Sequence, residues 1–192
     1  MRLDRIQSGE VTPLAGPVAF EVDVLGNATL AAKDRAAVLE FQLRVARLQR
    51  AVLGAVGLAG QLEERLALVR IAMDGAPALD PRLDARARAF ELELESIEIA
   101  LSGDRFLRRR QENTPPAIDE RVMNVVYSSW YTTAEPTTTQ RDAFRYASEL
   151  FAAELGRLRQ LAETDLPELE TELERAGAPW TPGRVPLWQP EP

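Results

Sequence analysis

The chain reads as mainly α: an elongated antiparallel helical bundle of two long and two shorter helices, with a short N-terminal β-hairpin or strand segment. Three patterns predict this. First, apolar residues hold two heptad positions without a break from Val38 to Met73. One position carries Val38, Val45, Val52, Ala59, Leu66 and Met73; the other carries Phe41, Leu48, Ala55, Leu62 and Val69. Steps of three and four keep these side chains on one helical face, and a strict seven-residue period implies a left-handed supercoil with neighbours. Such a helix is about 54 Å long, too long for one short partner, so the rest of the chain must supply antiparallel neighbours. Second, two further stripes follow, from Leu83 to Leu101 and from Phe144 to Leu173, with glycine stops at Gly75, Gly103 and Gly177. Third, residues 1–26 alternate instead of following a helical period.

In that N-terminal stretch, Val18, Phe20, Val22 and Val24 interleave with Ala19, Glu21, Asp23 and Leu25, the period of a half-buried strand. Ser8-Gly9 can turn between strands over Arg2–Ile6 and Val11–Leu14, and Gly16-Pro17 supplies a second turn. Two or three short strands cannot bury their apolar face alone. They either pack on the helices or belong to a sheet whose other strands lie elsewhere.

Residues 27–33 read as a linker, and the long helix starts between Ala31 and Asp34, with Thr29 as its N-cap and Asp34 in its first turn. Gly54, Gly57 and Gly60 lie inside it. Each weakens a helix by roughly 1 kcal/mol relative to Ala, so three of them predict the close approach of another backbone or a bend. Asp80 caps the second helix with Pro81 in its first position, and Gly103 ends it. Residues 104–113 read as a charged connection. Thr114-Pro115-Pro116 opens a third helix with Ile118, Val122 and Val125 inward, as far as about Tyr131. Thr137 and Gln140 have capping-box spacing for the fourth helix. Pro167 either kinks that helix or marks a restart capped by Asp165. The organisation is thus a strand segment over 1–26, a bundle over 27–177 and an extended Pro-rich tail over 178–192, on which Trp180 and Trp188 anchor to the bundle.

Composition excludes much chemistry. The 192 residues carry a net charge of −7, with no Cys and no His. The negative balance argues against nucleic acid as partner. Thiolate chemistry and disulfides are absent, and so are the commonest general base and the commonest metal ligand. No cofactor or metal is expected: the His-bearing di-iron pattern of helical bundles is missing, and no Asp-rich calcium loop occurs. Glu63, Glu64, Glu91, Glu93, Glu95 and Glu98 flank apolar stripes where charge is expected on a solvated face. Ser128, Ser129 and Thr137 lack a base to activate them. The charged start is unlike a signal peptide, and the longest apolar run, about ten residues from Ala51, is half of what a span needs. The chain reads as soluble, without a membrane span and without catalytic residues. Two surfaces remain as candidates. Tyr127, Trp130, Tyr131 and Trp180 could stack on a ligand ring or a partner. Arg105, Arg108, Arg109 and Arg110 form an anion patch.

Several segments resemble the C-terminal region of bacterial sortilin-like (VPS10-like) β-propeller proteins, often labelled sialidase-like. They are Phe20-Glu21-Val22, Asp34-Arg35-Ala36, Phe41-Gln42, the run from Ala46 to Leu53, Leu101-Ser102-Gly103-Asp104, Pro136 to Gln140, Asp165-Leu166-Pro167 and Gly177-Ala178-Pro179. The resemblance implies that residues 1–26 end an immunoglobulin-like sandwich that follows a propeller. It implies that any glycosidase activity resides in that propeller, so no catalytic residue is carried over. Export or a cell-envelope location is implied by the resemblance alone. The expected function is a non-catalytic structural or protein-interaction module, its partners being propeller and sandwich domains of the same or another chain. The rivals are a small-molecule or glycan-binding bundle and a homo-oligomer.

Overall fold

The computed structural model describes residues 1–23, 25–26, 28–77, 79–186 and 188. Val24 of the expected strand, Asn27 of the expected linker, and residues 187 and 189–192 of the expected tail lie outside the described residues. The chain forms two units, Met1–Ala31 and Ala32–Pro192. The boundary falls five residues beyond the expected one. From there the chain is held to the bundle: the Lys33 N–H donates to Glu135 at 3.2 Å.

The first unit is an antiparallel hairpin of β1 (Leu3–Gln7) and β2 (Glu10–Ala15). Ser8 and Gly9 have φ of +53° and +83°, so both turn residues are left-handed, as in the two-residue turns whose twist matches the strands. Register runs from Gln7 opposite Glu10 to Asp4 opposite Pro13, and then Leu3 lies opposite Ala15. Leu14 is therefore a bulge. Gly16 (φ +96°) follows, where a Cβ would stand 2.6 Å from the Met1 carbonyl. Past it the Val18 N–H donates to the Met1 carbonyl at 2.8 Å. The alternating stretch from Val18 to Leu25 is not a strand among the described residues. Alternation says which side chains share a face, but a strand also needs a neighbouring edge to pair with, and among the described residues none of this stretch pairs with the hairpin as a third strand.

In the second unit, α1 (Arg35–Asp74) is capped by Asp34, whose carboxylate accepts from the Ala37 N–H at 3.0 Å. Thr29 is therefore not the cap. The helix α2 (Pro81–Ser102) begins and ends where the sequence places it, at Asp80 and Gly103. The expected charged connection contains a short helix, α3 (Arg105–Arg109). Asp104 creates it by accepting from the N–H groups of Phe106 and Leu107 at 2.7 and 3.0 Å. Gln111, at φ +57°, closes it as Glu112 N–H reaches back to the Leu107 carbonyl. The helix α4 spans Ile118–Trp130. The helix α5 (Thr138–Gln160) has the expected reciprocal cap, with Gln140 N–H to Thr137 Oγ1 at 3.2 Å and Thr137 N–H to Gln140 Oε1 at 2.8 Å.

Of the two readings of Pro167, the restart capped by Asp165 does not hold. A π-helical turn, Leu161–Asp165, joins α5 to α6 (Leu166–Arg175) in one continuous helix, and Asp165 is helical and caps nothing. Proline cannot donate to the carbonyl four residues back, and its ring crowds that carbonyl; a widened turn before it relieves both. The extra residue also sets the register. Leu158, Leu161, Leu166, Leu169 and Leu173 are all buried, with one five-residue step where the wide turn falls. A plain α register would send Asp165 inward instead. At the end of α6, Gly177 (φ +71°) permits paired bonds from Gly177 and Ala178 back to Glu174 and Leu173.

The unit has three columns. α1 is one. α2 and α4 stack end to end along it, antiparallel, and so together match its length. The third is α5 continued by α6, running beside α1 in the same direction: Phe41 meets Phe144 near one end and Arg65 meets Glu170 near the other. Val52, Leu66, Val69, Ile97, Leu101, Leu158 and Leu169 are among the fully buried residues between the columns. Gly54, Gly57 and Gly60 depart from expectation. A Cβ at any of them would meet nothing within 4 Å. They sit on heptad positions away from the buried stripe, and among the described residues no backbone approaches them.

The tail is not extended throughout. Arg184 is only 7 % exposed and is tucked under residues 178–180. Its guanidinium donates to the Pro179 carbonyl at 2.6 Å and to Glu174. The Trp180 indole N–H donates to the Arg184 carbonyl at 2.8 Å, while Trp188 is exposed and anchors nothing. Arg184, preceded by Pro182 and Gly183, anchors the tail, and of the two tryptophans only Trp180 joins it.

Candidate functional site

Three of the four aromatic candidates come together. Tyr127 and Trp130 lie one turn apart on α4, with rings edge to face at 5.0 Å, and Tyr131 follows at the helix end. All three are exposed. Trp130 forms one wall of a groove of about 240 Å³ whose other wall is α1, with Val45 and Gln49, and whose floor includes Val126. The amide of Gln49 contacts Met123 Sδ at 3.3 Å and closes one side. Trp180 is elsewhere: its neighbour Pro179 packs on Gly75, at the far end of α1, about 40 Å along the helix from Gln49. The four aromatics are therefore not one surface. Ser128 and Ser129 both donate to the Val125 carbonyl, at 3.0 and 2.7 Å, and Ser128 accepts from Gln140 at 2.7 Å. Both hydroxyls serve the helix end.

The arginine cluster is partly neutralised. Arg108 donates to Glu120 at 2.8 Å and to the Ser102 carbonyl at 2.7 Å. Arg110 pairs with Glu112 at 2.8 Å and lies over the Phe106 ring. Arg105 turns toward carboxylates, and Arg109 is exposed. What remains is a short helix with mixed charge around it, not a basic face.

A groove of about 450 Å³ lies where the sequence shows no site. It lies between α1 and α2 under α3 and is lined by Glu63, Glu91, Glu95, Glu98, Asp104 and Arg105 over an apolar floor that includes Leu66 and Leu94. Burial, and after it the neighbouring Glu63, pushes the Glu98 carboxyl above its usual range, against the pull of Arg105. Each carboxylate flanks its own stripe as the spacing requires. Only the packing of α1 against α2 brings Glu63 to Glu98, so one-helix reasoning could not find the site. Glu93 faces the other way: Arg157 Nε reaches it at 2.7 Å and holds its carboxyl below the usual range. Among the described residues no group of three or more His, Cys, Asp or Glu is placed to hold a metal ion, and no helix is long and apolar enough to cross a membrane.

No family model matches the chain, and neither a curated protein nor a solved structure matches it.

Proposed function

We propose that the chain is a non-catalytic interaction module, in which the helical unit is a rigid body and the N-terminal unit docks on the β-sheet of a partner. The observation that carries this is the exposure of the N-terminal apolar residues. Leu3, Ile6, Val11, Leu14, Val18, Phe20, Val22 and Leu25 are all more than half exposed, with Ile6 at 74 % and Phe20 at 66 %. Two strands also leave two unpaired edges, each a row of N–H and carbonyl groups ready to extend another sheet. Apolar surface of this kind marks an interaction site. The resemblance in the sequence makes an immunoglobulin-like sandwich beside a propeller the partner we propose, in the same or another chain.

The test is the native mass in the source cells. The unaltered chain is expected in a species larger than two copies of 21.3 kDa, and Ile6→Asp with Phe20→Asp is expected to release it. An unaltered chain found in nothing larger than a pair would overturn the reading. A second reading is a ring-stacking ligand site, favoured by the groove beside Trp130. Titration of tryptophan fluorescence with a glycan panel tests it; a flat response throughout removes it.

A further inference from the structure

Helix α1 carries a second stripe, on the side away from its buried heptads. Leu43, Arg50, Gly57, Glu64 and Ile71 recur at seven-residue steps and are all exposed, Leu43 at 51 % and Ile71 at 68 %. Ala46, Leu53 and Leu68 widen it with exposed apolar surface. Among the described residues neither Arg50 nor Glu64 has an ionic or hydrogen-bonding partner. The stripe's glycines weaken the helix without any packing return, since among the described residues nothing approaches them.

The order of the stripe is its informative feature. Reversed about Gly57, it exchanges Leu43 with Ile71 and Arg50 with Glu64, while Gly54 exchanges with Gly60 and Ala46 with Leu68. A surface that maps onto itself with charges inverted fits an isologous contact, in which one two-fold axis pairs a patch with its own copy. We propose that a second copy of this chain docks antiparallel along this face, with Gly57 opposite Gly57. Arg50 of each copy then meets Glu64 of the other. Leu43 packs on Ile71 at both ends, and Gly54, Gly57 and Gly60 let the two helix axes come close at the centre. The same stripe rejects the parallel arrangement, which would set Arg50 on Arg50 and Glu64 on Glu64. This contact is independent of the N-terminal unit.

Sedimentation equilibrium over a range of concentrations tests it. The unaltered chain is expected to approach twice 21.3 kDa. By symmetry each charge reversal strikes two pairs, so Arg50→Glu and Glu64→Arg alone are each expected to raise the dissociation constant at least tenfold. The double variant, Arg50→Glu with Glu64→Arg, restores pairing, a rescue that misfolding would not give. The chain has no Cys, so Gly57→Cys supplies a single thiol; under mild oxidation it is expected to link two copies covalently. A monomer at all concentrations would overturn the proposal. So would a dimer indifferent to both single reversals, or a failure of the double variant to recover.

Discussion

The two units of this chain make opposite use of apolar residues. In the first, every local requirement is met: two left-handed turn residues, a paired register, and a bulge before the last pair. Among its described residues no apolar side chain is buried. In the second, caps and stops are equally well formed, but the apolar stripes of three columns close on one another, and residues such as Leu66, Val69 and Leu169 lose almost all contact with water. Local hydrogen bonding shapes an element. Removal of apolar surface from water is what stabilises a unit, at about 25 cal/mol per Å². A lone two-stranded hairpin has too little of it.

The largest effect should come from emptying the core. Leu66→Ala, at a fully buried position, is expected to cost about 2–5 kcal/mol in chemical denaturation. Ile6→Ala in the hairpin should stay within about 0.5 kcal/mol. Equal losses at the two sites would break the contrast. Next is the ion pair that ties α1 to α6. Arg65 grips Glu170 through two hydrogen bonds, and Glu170 is only 4 % exposed. Glu170→Gln leaves Arg65 beside a neutral amide and should cost on the order of 2–3 kcal/mol. Thermal melting would show a drop, whereas Arg2→Gln, at the exposed Arg2–Asp4 pair of the hairpin, should be nearly silent.

Smaller and opposite in sign is the change at the outer glycines. Gly54→Ala and Gly60→Ala add a methyl group into open space and should each stabilise the monomer by about 0.5–1 kcal/mol, measured at dilution. Destabilisation would mean that something in the chain does approach them. The smallest effect is electrostatic. The Glu98 carboxyl is raised in the folded state, so ionisation there opposes folding, and the penalty is present above the folded value. Below the unfolded value both states are protonated and the penalty is gone. Glu98→Gln should therefore raise Tm slightly at pH 7, with the gain vanishing once pH falls below the ordinary carboxylate range. Glu93 has the reverse sign: lowered by Arg157, it contributes stability above its unfolded value that is lost as pH falls through the folded one. Glu93→Gln should lower Tm at pH 7 and not in acid.

How much of this was legible follows from the reach of each signal. Asp80, Gly103, Thr137 and Gln140 act on backbone groups within a few residues, so caps and stops were readable. The heptad stripe of α1 was readable because one helix imposes one period. The cap falls on Asp34 and not on Thr29, because two polar residues near a helix start compete for that place. The short helix after Asp104 is not legible in the sequence, because charge and brevity hide a helix that a single cap can nucleate. The π-turn is hidden too, because its cause is shared by Pro167 and by the need to bury Leu166, four residues of context that no period reveals. The aromatic candidates were partly legible: spacing on α4 joins Tyr127 to Trp130, while Trp180 is placed by a tail wrapped around Arg184. The acidic groove was invisible, because it exists only between helices.

The sequence alone therefore determined the helical columns, their ends and the side each one buries, since propensity, capping and periodicity act within a single element. It also carries the inverted order of the outer stripe of α1. Tertiary packing alone decided that Glu63 and Glu98 face each other and that Arg184 is buried. Those relations depend on distances between residues far apart in the chain, which only the closing of the apolar faces on one another creates.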